Sequence, residues 1–259
     1  MPLPTPFRAH GFAILLLLAL TVAAPAQTAT NRMFAEQAEK RFHQAQKQFI
    51  AQPGEAAPAW QFGRASFDWA EFATNEPQRA ALAQAGIDAC RHSLTCDQKS
   101  APAHYYLAMN FGQLAEAEAP SIAAYKLVKE IEREFKAAAE LDENFDFAGP
   151  PRCLGLLYRD APGWPVSLGS KRKAREFLEH AAGLAPDFPE NELNLAESHL
   201  RWHQPAEAEK ALKKLDALWP AARTNLVGEA WEQSWDDWTA RRVAARAEFQ
   251  KTFKRAPGL

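Results

Sequence analysis

The feature that most limits what this chain can become is an echo at a spacing of 34 residues. In "KAREFLEHAAGLAPDFP", Ala174, Leu178, Ala181 and Pro186 stand at offsets 0, 4, 7 and 12, and in "AEKALKKLDALWPAA" Ala208, Leu212, Leu215 and Pro220 repeat those offsets. Steps of 4 and 3 put small and apolar side chains on one face of a helix, and the proline ends it. A shorter apolar stretch precedes each copy, "LGLLY" at Leu154 to Tyr158 and "LNLAESHLRW" at Leu193 to Trp202. A helical hairpin repeated at such a period cannot bury its apolar face alone, so consecutive hairpins must stack.

Two looser copies lie upstream. "HYYLAMNFGQL" supplies a first helix through Leu107, Ala108 and Phe111, and "IEREFKAAAELDEN" a second through Ile131, Phe135, Ala138 and the Leu141–Asp142 turn. In "GIDACRHSLTCDQ", Cys90, Ser93, Cys96 and Asp97 fall at matching positions, with a partner helix expected over 60–72. The expected fold is therefore all-α, with hairpins near 59–98, 101–144, 148–186 and 189–220. "NRMFAEQAEKRFHQAQKQFI" reads as a leading helix with Phe34, Ala38, Phe42, Ala45 and Phe49 near one face. Trp231, Trp235 and Trp238 form a helical stripe in a segment over 227–255, either a cap docked on the last hairpin or an exposed aromatic docking surface.

These residues resemble the tetratricopeptide repeat, whose signature small residues sit where two antiparallel helices approach closely. The resemblance implies a helical-hairpin solenoid with terminal capping helices that binds protein or peptide partners on surfaces formed by its first helices. Against the usual hairpin, in which about 12 residues separate the glycine-like position from the second-helix alanine, two hairpins are long. Gly155 to Ala174 spans 19 and Ala108 to Ile131 spans 23. After Pro120 the extra residues keep a period of three to four and read as a longer helix. "DAPGWPVSLGSKRK" contains Pro162, Gly163, Pro165 and Gly169 and reads as a loop, with Trp164 either its plug or a ligand platform.

Ser170 is a candidate N-cap, yet Lys171, Arg172 and Lys173 give the helix behind it a first turn of the wrong charge. That turn is either a solvated basic start or a place for an anionic ligand or acidic partner. The stretch from "AAYKLVKEIEREF" to "NELNLAESHLRW" further resembles the periplasmic T-component of tripartite ATP-independent transporters. That resemblance implies a non-enzymatic, often trimeric helical protein that binds or passes on a small anionic or amphipathic ligand beside a substrate-binding protein. Members of that family are typically lipoproteins, whereas no anchor cysteine stands near the expected cut site here.

The leader is "FRAHGFAILLLLALTVAAPA", with Arg8 and His10 ahead of an apolar run from Phe12 to Val22 and small residues at Ala24 and Ala26. It reads as a secretory signal over 1–26, which places the mature chain of 233 residues (259 minus 26) in the periplasm or outside the cell. No later run is long and apolar enough to span a bilayer. Losing Arg8 takes the formal charge from −2 to −3, which offers nothing to nucleic acid. Three cysteines cannot form a disulfide framework; Cys90 and Cys96 are expected to face the core, and Cys153 to stand alone on a first helix.

Motifs of zinc hydrolases, nucleotide-binding glycine loops and serine hydrolases are absent from the sequence, so no catalytic residue, metal ligand or cofactor is assigned. His199 and His203, four apart, are expected to share a helix face. Candidate groove or ligand residues are His104, Tyr105, Asn110, Arg152, Tyr158, Trp164, Lys171, Arg172, Lys173, Asn191 and Asn194. Exposed repeat edges leave self-association open.

Overall fold

The computed structural model describes residues 29–119, 121–163, 166–254 and 256, which form ten helices. Residues 1–28, which include the leader expected from the sequence, lie outside the described residues, as do Pro120, Trp164, Pro165, Arg255 and residues 257–259. By its contacts the chain divides into two compact units. The N-terminal unit runs through Glu143 and takes in Ala161–Leu168; the C-terminal unit holds Asn144–Asp160 and the chain from Gly169 on.

The N-terminal unit is built from α1 (Ala29–Ala51), α2 (Ala56–Ala70), α3 (Glu76–Cys96), α4 (Ala101–Ala117) and α5 (Ile122–Leu141). Each helix packs on the next, and α2 also packs on α4, the pattern of stacked hairpins. Short polar side chains set the starts: Asn75, Ser100 and Ser121 accept hydrogen bonds from the backbone N–H of Gln78, Ala103 and Ala124. Phe34, Ala38 and Phe42 of α1 are buried, and Phe42 joins Phe62, Ala65 and Leu82 in one cluster with Phe49 beside it. At Gly63 a Cβ would stand 2.2 Å from the Cys90 sulfur, so α2 and α3 touch where only glycine fits.

The C-terminal unit comprises α6 (Phe145–Asp160), α7 (Lys171–Leu184), α8 (Pro189–Arg201), α9 (Pro205–Asn225) and α10 (Glu229–Phe253). Helices α6 and α7 form one hairpin, α8 and α9 another, and α8 packs also on α6 and α10. The close approach recurs at Gly155, where a Cβ would lie 2.6 Å from Leu178 Cγ. Leu154, Tyr158, Ala174 and Leu178 are all buried there. Helix α10 lays Trp231, Trp235 and Trp238 into a cluster with Phe188, Leu193, Leu215 and Ala222, and the Trp235 indole donates to the Leu226 carbonyl at 2.7 Å.

Four details depart from the sequence reading. Pro220 does not end α9, which continues to Asn225 because Ala222 is held in the tryptophan cluster and packing outweighs local preference. Cys96, the last residue of α3, is exposed rather than core-facing, with its sulfur 3.9 Å from His92 Nε2; Cys90 and Cys153 are buried, and all three are free thiols. Helix α8 stops at Arg201, so His203, at φ 53°, shares no helix face with His199. Finally, α6 holds Asp146, Phe147 and Ala148 in the left-handed region near its start, and the Pro150–Pro151 pair stands early in the right-handed part that follows.

Candidate functional site

The residues expected on an open first-helix surface are mostly enclosed. In the N-terminal unit, His104 Nδ1 lies 2.6 Å from Glu134 Oε2, and Arg133 donates to Glu134 Oε1 at 2.6 Å. The Glu134 hydrogen bond raises the His104 pKa against the effect of burial. Burial pushes Glu134 up, but the bonds from His104 and Arg133 carry it below the usual carboxylate value. Tyr105 is buried against Tyr106 and Phe135. Asn110 is buried as well; its amide donates to the carbonyls of Gly63 at 2.9 Å and Tyr106 at 2.7 Å, tying α4 to α2. These groups join helices to one another.

In the C-terminal unit the same holds for Arg152, Tyr158, Asn191 and Asn194, all buried. Arg152 clamps the left-handed turn of α6, donating to the carbonyls of Asp146 at 3.2 Å and Phe147 at 2.9 Å and to the Asp146 carboxylate at 3.1 Å. Asn191 donates to the Phe147 carbonyl and to those of Ala181 and Ala185, each at 3.2 Å. Asn194 accepts from Arg241 at 2.6 Å, and the same guanidinium pairs with Glu197 and Asp237 and lies 3.6 Å from Glu190. A charge network thus runs through one side of α8.

The basic turn at the start of α7 is tethered rather than free. Ser170 caps the helix through the Lys173 N–H, Lys173 Nζ sits 4.8 Å from the Tyr158 ring centroid, and Arg172 pairs with Glu176 at 2.7 Å. Lys171 Nζ stands 5.5 Å and the Arg175 guanidinium 5.9 Å from the Trp202 ring. Trp164 lies outside the described residues.

A cleft of about 240 Å³ opens between α7, α8 and α9. Its walls follow helical spacing: Glu179, Ala182 and Gly183 from α7, Glu192, Leu195 and His199 from α8, and Glu207, Lys210, Ala211 and Lys214 from α9. Small residues on α7 and α9 create the space. A Cβ added at Gly183 meets nothing within 4 Å.

Glu192 is 2% exposed. Its Oε1 lies 3.2 Å from Lys214 Nζ, while its buried Oε2 has no hydrogen-bond partner. Burial raises the carboxyl pKa, and Lys214 and Lys210 oppose the rise. At the other end, Gln204 Oε1 accepts from Arg175 at 2.7 Å and lies 3.0 Å from His199 Nδ1. That oxygen can only accept, so His199 Nδ1, facing it, carries a proton. The cleft therefore offers several acceptors and a single cation, Lys210, outside the Glu192–Lys214 pair.

Among the described residues no group of three or more His, Cys, Asp or Glu side chains is placed to hold a metal ion, and no helix is long and apolar enough to cross a membrane. Compared with known proteins, the chain matches no family model, and no curated protein matches it. The sequence reading missed Glu192 and His199 as lining of a cleft although the spacing Glu192, Leu195, His199 was visible. It chose the asparagines of the same helix, and the partner face contributed by α9 becomes apparent only when the hairpin is assembled.

Proposed function

We propose that the protein is a non-enzymatic, exported scaffold of the tetratricopeptide type that binds a polypeptide partner, acting in the periplasm or outside the cell. The observation that carries this reading is the cleft lined at helical spacing by three successive helices, a surface that hairpin packing leaves open and polar. Support for the tetratricopeptide type comes from the glycine contacts at Gly63 with Cys90 and Gly155 with Leu178, which put equivalent close approaches in two hairpins. Neutral, flexible peptides of varied sequence, titrated by fluorescence anisotropy, test the scaffold. Saturable binding of a subset is the expected result, and uniform failure of a broad peptide library counts against it.

A second reading is a transporter-associated protein that binds or passes on a small anionic or amphipathic ligand. It draws on the cations set over aromatic rings at Lys171 and Arg175 with Trp202 and at Lys173 with Tyr158. Native mass spectrometry of the purified chain separates the two: a retained small anion favours the second, and a bare chain that binds peptides favours the first. Light scattering over a concentration series tests self-association.

A further inference from the structure

The α7–α9 cleft has an occupant chemistry of its own, and the scaffold reading bears only on where that occupant comes from. We propose that the cleft is a binding site for an organic cation, an alkylammonium or guanidinium group, with Glu192 as its anchor and Lys214 as the internal cation it displaces. Three observations lead there. The Glu192 carboxylate is buried in the cleft wall with one oxygen lacking a donor, a costly state unless a donor can arrive. Its present partner, Lys214, is held weakly: the ammonium is 3.2 Å away on a side chain 57% exposed, so it can swing into water without disturbing α9.

The third observation is the charge left over once Glu192 and Lys214 are paired. Among the described residues no ion pair is seen for Glu179 or Glu207, and Lys210 is the one lining cation besides Lys214. An anion would meet these two carboxylates and a buried one. A cation meets them as acceptors and, along the middle, the apolar Leu195, Ala182 and Ala211 suited to a methylene chain.

On the polypeptide-binding reading the cation is a lysine or arginine side chain of the partner; otherwise it is a free amine. Isothermal titration calorimetry with three probes decides: a capped pentapeptide of four alanines around a central lysine, the same peptide with norleucine at the centre, and 1,5-diaminopentane. The lysine peptide is expected to bind about tenfold or more tighter than its norleucine counterpart. Glu192→Gln should weaken it by about tenfold, while Lys214→Ala should tighten it, since the competing internal cation is gone.

Gly183→Leu should abolish binding by filling the cleft, in a chain whose circular dichroism and unfolding midpoint stay native. Equal binding of lysine and norleucine peptides, or weaker cation binding in Lys214→Ala, overturns the cation site and leaves the scaffold reading to its own peptide titration. Diaminopentane binding without the lysine peptide keeps the cation site and overturns a polypeptide as its source. Failure of all three probes overturns the inference.

Discussion

Helix α8 carries two glutamates two residues apart, and they sit in opposite kinds of surroundings. Glu190 faces inward among Arg152, Arg241, Asp237 and Asp146, charged groups of α6 and α10. Glu192 faces the cleft beside α7 and α9, with one flexible lysine on one oxygen and nothing on the other. Both are buried carboxylates, so burial alone does not mark a site. A buried charge surrounded by fixed partners belongs to the frame; one whose partner can leave for solvent is available to a ligand.

The largest effect that can break this comparison lies on the Glu190 side. Arg152→Ala would take the guanidinium away from the Asp146 carboxylate and from the carbonyls of Asp146 and Phe147 in the left-handed turn. Deleting one partner of a buried ion pair costs about 3–5 kcal/mol, so urea unfolding should show a loss of that order. Lys214→Ala, which removes the partner on the cleft side, should cost less than that, because the ammonium it deletes already lies more than half in water. Equal losses in the two variants would erase the distinction between the faces.

The pH dependence sharpens the comparison. Burial holds the Glu190 carboxyl up at about 7 from 4.5, with Arg152 and Arg241 pulling down and Asp237 and Asp146 pushing up. Between those values the folded protein keeps a proton that the unfolded chain has released, so this group's contribution to stability is full below pH 4.5 and is lost as pH rises through about 7. The size is at most a few kcal/mol, about 1.4 for each pKa unit. Glu192 and His104 are raised too and slope the same way, so the quantity to measure is the wild-type unfolding free energy minus that of Glu190→Gln. That difference should fall from pH 5 to pH 8; a rise would place the ionised form in the native network.

Much of the frame was legible because it depends on local periodicity. The echo of Ala174 and Leu178 at Ala208 and Leu212 predicted second helices, and the small signature residues implied a close helix approach, which the structure places at Gly155 against Leu178. The longer spacing after Ala108 is taken up by helices α4 and α5, and α6 ends at Asp160 while α7 begins only at Lys171, in keeping with the prolines and glycines read between them. The role of polar residues was not legible. Asn110, Arg152, Asn191 and Asn194 looked like surface because asparagine and arginine usually are, yet each reaches carbonyls or side chains far along the chain. Whether a polar side chain binds a neighbour or a ligand is decided by contacts 39 or 47 positions away, which helical spacing does not encode.

The smallest expected effect on stability is at Gly183, and it discriminates best because the same substitution has opposite meanings at two glycines. Gly155→Leu would drive a side chain into Leu178, where even a Cβ has only 2.6 Å, and overpacking of that kind costs about 1–3 kcal/mol or more. At Gly183, on the next helix, a Cβ touches nothing within 4 Å and the backbone is helical. Leucine also favours the helix over glycine by roughly 0.5–1 kcal/mol, so Gly183→Leu should unfold at the wild-type urea concentration or slightly above it. A clear loss of stability in Gly183→Leu would mean that the space between α7, α8 and α9 closes in solution, and the cleft with its cation site would then have to be given up while the frame on the Glu190 side stood unchanged.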